Sequence, residues 1–313
     1  MRAMLLATRR RSIVLSTVLL GGLFTDAASL AAQPCDSHCL NGFVDQYVGA
    51  LTAHQPAKLP GADRSKYTEN GTRTAIAAGL WQSATAVGDY KMTYVDPVTG
   101  NALFVGVIKE KDQEAIVATR LRVMDRKVTE IETIAARKGS HPLFSPELLH
   151  ADPLFTTPVS EDTRVPRARM IEIANSYFDG IERNSSEGIP ATPDCNRFEN
   201  GVKTTFRTPT SGNCAKSADN LNYIKAVRNR RFFIVDEVNG VVACNILFDV
   251  PGGDPITTSG ATATGGSEAQ LQTTLRQPRM LLLTELFKID GGNIARIQAI
   301  MHNLPHGATS GWE

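Results

Sequence analysis

Asp194-Cys195-Asn196-Arg197-Phe198-Glu199-Asn200-Gly201 decides how the chain is read, because Tyr67-Thr68-Glu69-Asn70-Gly71 carries the same ending earlier on. Two copies of Glu-Asn-Gly suggest two copies of one fold, and other landmarks recur in the same order. Leu40, Phe43, Val44, Tyr47 and Leu51 fall at helical spacing ahead of the first copy, with Asp36 or Ser37 placed to cap that helix. Met170, Ala174, Tyr177, Phe178 and Ile181 do the same ahead of the second copy. Val95-Asp96-Pro97-Val98-Thr99-Gly100 matches Val235-Asp236-Glu237-Val238-Asn239-Gly240 as one hairpin turn used twice. Leu121-Arg122-Val123-Met124-Asp125 matches Leu286-Phe287-Lys288-Ile289-Asp290, followed by Ile131 to Ile134 against Ile297 to Ile300.

Strand-like runs fill the rest of each half. Tyr90, Met92 and Tyr94 alternate, as do Leu103, Val105 and Val107, and residues 115–124 and 128–135 follow. Residues 231–235, 241–248, 280–289 and 294–301 supply four more strands in the second half. A helix followed by an antiparallel meander, repeated, is an α+β pattern. The expected organisation is a leader over residues 1–32, a first domain over 33–137, a linker over 138–164 and a second domain over 165–313. Pro142, Pro146, Pro153 and Pro158 break any period in the linker, which reads as a surface tether. Gly252 to Gly266, rich in Gly, Thr and Ser, reads as a mobile surface loop or a lid.

Arg9, Arg10 and Arg11 precede the apolar run Ile13 to Phe24, and small residues around Ser29, Ala31 and Ala32 offer a peptidase site, which is the layout of an export signal. Arg10-Arg11-Ser12-Ile13-Val14 also fits a twin-arginine signal, and both export routes stay open. Removing residues 1–32 takes four arginines from the 33 basic residues and one aspartate from the 32 acidic ones, leaving 29 against 31. A mature charge of −2 argues against nucleic acid or an anionic membrane as partner. The five cysteines suit an oxidising compartment, periplasmic or extracellular. Cys35 with Cys39 and Cys195 with Cys214 are the preferred pairs among three connectivities, and Cys244, inside an apolar run, reads as a buried free thiol.

The Tyr-x-Glu-Asn-Gly motif with Gly79-Leu80-Trp81, the motif Asp194-Cys195-x-Arg197-x-Glu199-Asn200-Gly201, and the ending Pro305-x-Gly307 through Gly311-Trp312 resemble a secreted fungal and bacterial family known as a domain of unknown function. Its members look like tandem relatives of the SnoaL-like, or nuclear transport factor 2-like, fold. The resemblance implies two cone-shaped domains, each a curved antiparallel sheet packed on helices around a pocket. It implies a small-molecule ligand, with no cofactor and no metal, and either a monomer of two fused domains or a homodimer. Such cones host dehydratases, isomerases, cyclases and epoxide hydrolases, and also non-catalytic binding modules, so fold alone does not name the activity.

The residues then have to supply a base, an acid and donors for negative charge. Ile294, Arg296, Gln298, Ile300 and His302 share one face of the last strand, against Ala295, Ile297, Ala299 and Met301 on the other, so the polar face lines either a cavity or solvent. His302, with a side-chain pKa near neutrality, is the leading candidate base, and Ala136 stands at the matching place in the first half. Arg197, Glu199 and Glu285 complete the catalytic candidates. Tyr177, Gln298, Arg296, Tyr67, Glu69 and Trp81 are candidate ligand-binding residues, with Tyr94 beside them. Glu69 and Glu199 have a structural alternative, since Glu-Asn-Gly also suits a turn with glycine at positive φ. No Gly-x-Ser-x-Gly elbow, His-Glu-x-x-His, P-loop or strand-linked Gly-x-Gly-x-x-Gly occurs. The functional expectation is an exported, cofactor-free lyase, isomerase or hydratase, or alternatively a binding or structural module of two fused cones. If the leader is cleaved as read, protein recovered outside the cytoplasm begins near residue 33; N-terminal sequencing checks this, and retention of Arg9 to Arg11 would contradict it.

Overall fold

The computed structural model describes residues 35–207, 211–253 and 276–313. The leader, and all but the first two residues of the Gly252–Gly266 loop, lie outside the described residues. The chain is α+β, with two units built to one plan. Helix α1 (Ser37–Thr52) is followed by β1 (Lys66–Glu69), β2 (Thr72–Arg73), the short α2 (Leu80–Ser83), β3 (Ala84–Asp96), β4 (Asn101–Glu110), β5 (Glu114–Met124) and β6 (Lys127–Arg137). After the short α3 (Pro153–Thr156) come α4 (Arg167–Arg183), β7 (Ala191–Glu199), β8 (Val202–Lys203), β9 (Ala226–Asp236), β10 (Val241–Val250), β11 (Arg279–Asp290) and β12 (Asn293–Pro305). The six-stranded sheets run β2-β1-β6-β5-β4-β3 and β8-β7-β12-β11-β10-β9, the same order twice. All neighbours are antiparallel except β1 with β6 and β7 with β12, which are parallel.

Local chemistry explains the elements. Asp36 caps α1 by accepting from the Cys39 N–H at 2.9 Å, and the Cys35–Cys39 disulfide ties down the same turn. The stripe Leu40, Phe43, Val44, Tyr47 and Leu51 is buried against the concave face of the first sheet, and Met170, Ile173, Tyr177, Phe178 and Ile181 of α4 are buried likewise in the second. Strands β3 and β9 each slip register midway, opposite Val107 in one half and Ile246 in the other. Bulges of this kind bend a strand and help the sheet close around its helix.

The Glu-Asn-Gly copies are two-residue hairpin turns between β1 and β2 and between β7 and β8. Asn70 and Gly71 have φ of 49° and 73°, and Asn200 and Gly201 have 45° and 86°, the left-handed pair that such a turn requires. Each asparagine does a second job. Asn70 receives the Ala135 N–H at 2.8 Å and donates to the Ala135 carbonyl at 3.1 Å, extending the parallel ladder by one side chain. Asn200 does the same to Met301, at 2.8 and 3.0 Å, and also donates to the Leu143 carbonyl at 3.1 Å.

The register corrects one detail of the internal alignment. Leu121 lies opposite Ile131 and Phe287 opposite Ile297, so the partner of Leu121 is Phe287 and not Leu286. A shift of one residue moves a side chain to the other face, which is why Leu121 and Phe287 are both inside their cones while Leu286 is not.

The outer faces of the two sheets pack on each other. Tyr90, Met92, Tyr94, Val105 and Ile134 of the first meet Ile234, Ala243, Leu282, Leu286 and Ile300 of the second in a third core. The segment 138–164, read as a tether, contributes buried Leu143, Leu149, Phe155 and Val159 and so is part of the packing. It covers the second turn, where the Ser145 N–H donates to the Asn200 carbonyl at 2.9 Å. The C-terminal tail covers the first turn: a Cβ on Gly71 would lie 2.8 Å from the Thr309 carbonyl, and Trp312 Nε1 donates to Thr68 at 2.8 Å. Asn200→Ala should cost about 3 kcal/mol or more, since each buried backbone group left unpaired costs about 1–3 kcal/mol. Asn70→Ala, which frees one fewer group, should cost less; urea unfolding of both variants checks the ranking, and a negligible loss in either would remove the asparagine brackets from the account.

Candidate functional site

The interior of the second cone gathers charged side chains in an otherwise apolar core. Arg197 and Glu199 project inward from β7, with Cys195 on the same face, and Glu285 projects inward from β11 between Leu283 and Phe287. Arg197 is paired with Glu199, and its Nε lies 3.7 Å from Glu285 Oε1, beyond hydrogen-bond length. Both Glu285 oxygens and Arg197 Nε are buried and have no hydrogen-bond partner among the described residues, while the buried Tyr177 hydroxyl lies beside Ser217. The Arg197 guanidinium sits over the Tyr177 ring, 5.9 Å from its centroid. Buried polar atoms without hydrogen-bond partners are uncommon in folded proteins, which makes this cluster a candidate functional site.

Burial pushes the Glu285 carboxyl up to about 7; Arg197 opposes the shift and Glu199 adds to it. Burial would by itself weaken the charge on Arg197, but Glu199, Tyr177 and Glu285 together hold it firmly protonated. The Tyr177 hydroxyl is pushed up by burial, with Arg197 tempering the effect, and the half-buried Tyr223 is pushed to about 12 by burial and by Glu199. One cation, one paired carboxylate and one carboxyl that titrates near neutrality can exchange a proton with a bound molecule while holding negative charge that develops on it.

The first cone has the same positions filled differently. Tyr47 takes the place of Tyr177, Tyr67 that of Arg197, Glu69 that of Glu199 and Thr119 that of Glu285. Here, apart from the buried Trp81 Nε1, the polar groups satisfy one another. Glu69 accepts from Tyr67 at 2.8 Å, from the Leu80 N–H at 2.7 Å and from Arg137 at 2.9 Å. Arg137 also holds Glu110, which Ser83 contacts from the other side. Tyr47 reaches Thr119 at 3.2 Å and Thr119 reaches Thr133 at 3.0 Å. Trp81 is buried edge-on against Tyr47, with ring centroids 5.6 Å apart.

The remaining sequence candidates are on the other side of the sheet. Gln298 and His302 face the first half and Arg296 faces the linker, because the outer face of β12 is covered by the first sheet and by residues 148–155 and is not a cone interior. Ile294 turns inward with Ile297, Ala299 and Met301, since a register shift separates it from Arg296. Gln298 donates to Tyr90 at 2.6 Å, and Arg296 faces Asp152 at 2.8 Å. Burial lowers the His302 pKa, with Arg137 of the first half adding to the effect and the Ala135 backbone opposing it. Tyr94 lies in the inter-sheet core against Phe155. His306, beyond the end of β12, contacts Asp249 at the surface. Two residues of the second cone escaped sequence reasoning. Cys244, opposite Glu285 on β10, was read only as a buried thiol, and Tyr223 sits in a loop without periodicity. His141 also went unread; its imidazole accepts from the Leu143 N–H at 3.1 Å, and burial, with Arg279 next, lowers it to about 3.

Residues 163–301 match the family described as a domain of unknown function (DUF8021). No curated protein matches the chain. Among solved structures, the chain is similar to a candidate SnoaL-like polyketide cyclase from Jannaschia sp. CCS1, at 12% identity and a TM-score of 0.29 over 44% of this chain and 89% of that one. It is similar to a candidate isomerase from Bacillus subtilis, at 10% identity and a TM-score of 0.29 over 43% and 87%. A third is the epoxide hydrolase/cyclase-like enzyme SalBIII, of pyran ring formation in the polyether salinomycin, at 11% identity and a TM-score of 0.29 over 43% and 91%. Both halves share one plan, a six-stranded sheet of the same strand order wrapped around a helix.

No helix among the described residues is long and apolar enough to cross a membrane. Two disulfides, Cys35–Cys39 and Cys195–Cys214, are formed, and Cys244 is free and buried. The Glu285 carboxyl predicts a pH dependence of stability. Its folded pKa of about 7 lies above the ordinary carboxyl value, so between the two the folded chain holds a proton that the unfolded chain has released. The contribution to stability is therefore full at acidic pH and is lost as the pH rises through 7. Glu285→Gln should remove that loss, which is on the order of 3 kcal/mol, and be more stable than the parent at pH 8 but not at pH 4.5. Denaturant titrations at the two pH values check it, and parallel curves would contradict it.

Proposed function

We propose that the protein is an exported, cofactor-free enzyme of the lyase, isomerase or hydratase type, acting on a small organic molecule inside the second SnoaL-like cone. The observation that carries this reading is Glu285: a buried carboxyl that titrates near neutrality, without a hydrogen-bond partner among the described residues, and 3.7 Å from a permanently charged arginine. In this reading Glu285 gives a proton to, or takes one from, the bound molecule. Arg197 stabilises the oxyanion or enolate that forms, Glu199 fixes the guanidinium plane, and Tyr177 orients the substrate through its hydroxyl. Dehydration, ring closure and shifts of a C–H bond next to a carbonyl all need only those elements. Export is supported by the basic and apolar leader and the two disulfides.

The alternative, a binding or structural module, draws on the aromatic filling of the same cone, where Tyr177, Phe178 and Phe287 pack edge to face. The two readings separate in a turnover assay. With small hydroxyketones, enones and epoxides in deuterated water, followed by NMR, the enzyme reading expects deuterium incorporation or ring opening. Glu285→Gln is expected to slow it by about 100-fold or more, the usual share of a general acid or base. The rate should also show a titration limb near pH 7 that the variant lacks. His302→Ala should turn over like the parent, since His302 is on the opposite face of the sheet. Equal rates for Glu285→Gln and parent would overturn the assignment, and turnover by neither would favour the binding module.

A further inference from the structure

A second concave site lies away from the cone, where residues 148–155 cross the outer face of β7 and β12. It is a cleft of about 210 Å³ whose walls include Leu148, Leu149, Phe155 and Phe198, with His150, Asp152 and Gln298 as its polar members. We infer that this cleft binds a neutral, single-ring molecule bearing one hydroxyl or carbonyl group. Volume limits the occupant, since an apolar cavity of about 150 Å³ takes benzene; the cleft admits one ring and a small substituent. Charge limits it further. Asp152 accepts from the Leu154 N–H at 3.0 Å through one oxygen and faces Arg296 at 2.8 Å through the other, so the carboxylate charge is compensated by the guanidinium beside the cleft. The polar anchor is Gln298. It is buried, and its amide plane is fixed by the bond it donates to Tyr90 of the first half, at 2.6 Å. That bond uses one of its two N–H groups, leaving the second N–H and the carbonyl for a ligand hydroxyl or carbonyl.

Two further observations point the same way. Leu148 and Leu154, on the segment that forms one wall, are 47% and 37% exposed, which gives the cleft an apolar approach. The cleft also lies at the seam of three parts of the chain, since the linker supplies one wall, β7 and β12 the other, and β3 the residue that holds Gln298. Seams between domains are where ligand sites are commonly found.

The test uses phenol as the neutral probe and benzoate as the charged one, titrated into the folded protein and followed by methyl NMR. Phenol should give saturable shifts at the methyls of Leu148, Leu149 and Ala151, with intermolecular NOEs to them, and benzoate should give much smaller shifts there. Leu148→Trp, at a half-exposed position where a larger ring can reach into the cleft, should abolish the phenol shifts; Glu285→Gln should leave them unchanged. Should Leu148→Trp fail to fold, the NOEs on the parent protein decide alone. No saturable shift, NOEs from Tyr177 or Phe287 instead, or equal binding of benzoate would overturn the proposal.

Discussion

Each sheet in this protein is covered on both faces, by its own helix on the concave side and by the other sheet on the outer side. Everything else about the chain follows from that double burial. Strands covered on both sides must be apolar throughout, which is why β4 and β10 are buried along nearly their whole length. Burying a large apolar side chain contributes about 1.5–3 kcal/mol, so the shared core between the sheets makes the halves a single unit. Polar residues on that surface are held in pairs: Arg120 and Arg231 both reach Glu132, and Trp312 lies over Arg120 and Lys66. The segments that follow β6 and β12 cross over, each closing the Asn-Gly turn of the opposite half.

The same constraint explains how much of the structure could be read from the residues. Helical stripes, hairpin turns, the Asp36 cap and the repeat order depend on local spacing, and they stand in the sequence plainly. The face of β12 that bears Arg296, Gln298 and His302 was legible as a face. Its destination was not, because with both sides of a sheet buried the alternation of side chains cannot distinguish a cone interior from an inter-sheet surface. The prolines of residues 138–164 announced irregular backbone but said nothing of Leu143 and Phe155 being buried beneath it. The turn aspartates Asp125 and Asp290 look like one landmark but stand one position out of step, since Met124 is the equivalent of Asp290, and matching them pairs Leu121 with the wrong neighbour.

Duplication has left two interiors that differ in how far their hydrogen bonds close. In the first, Glu69 has three donors and Glu110 is held by Arg137 and Ser83, so the polar groups serve as a fastening between strands and α2. In the second, replacement of the tyrosine on β1 by Arg197 and of Thr119 by Glu285 puts a cation and a carboxyl where a hydroxyl pair closes the first cone. A buried carboxyl without a hydrogen-bond partner lowers stability, and the function proposed for the second cone gives it a task that needs its proton.

The most direct test of this account is the titration of Glu285 itself, by carbon NMR of glutamate side-chain carboxyls, with Glu285→Gln used to assign the signal. A midpoint near pH 7 is the result the account predicts. A midpoint in the ordinary carboxylate range, below about 5, would mean that Glu285 is paired or hydrated in solution, and the proton chemistry assigned to the second cone would fall with it.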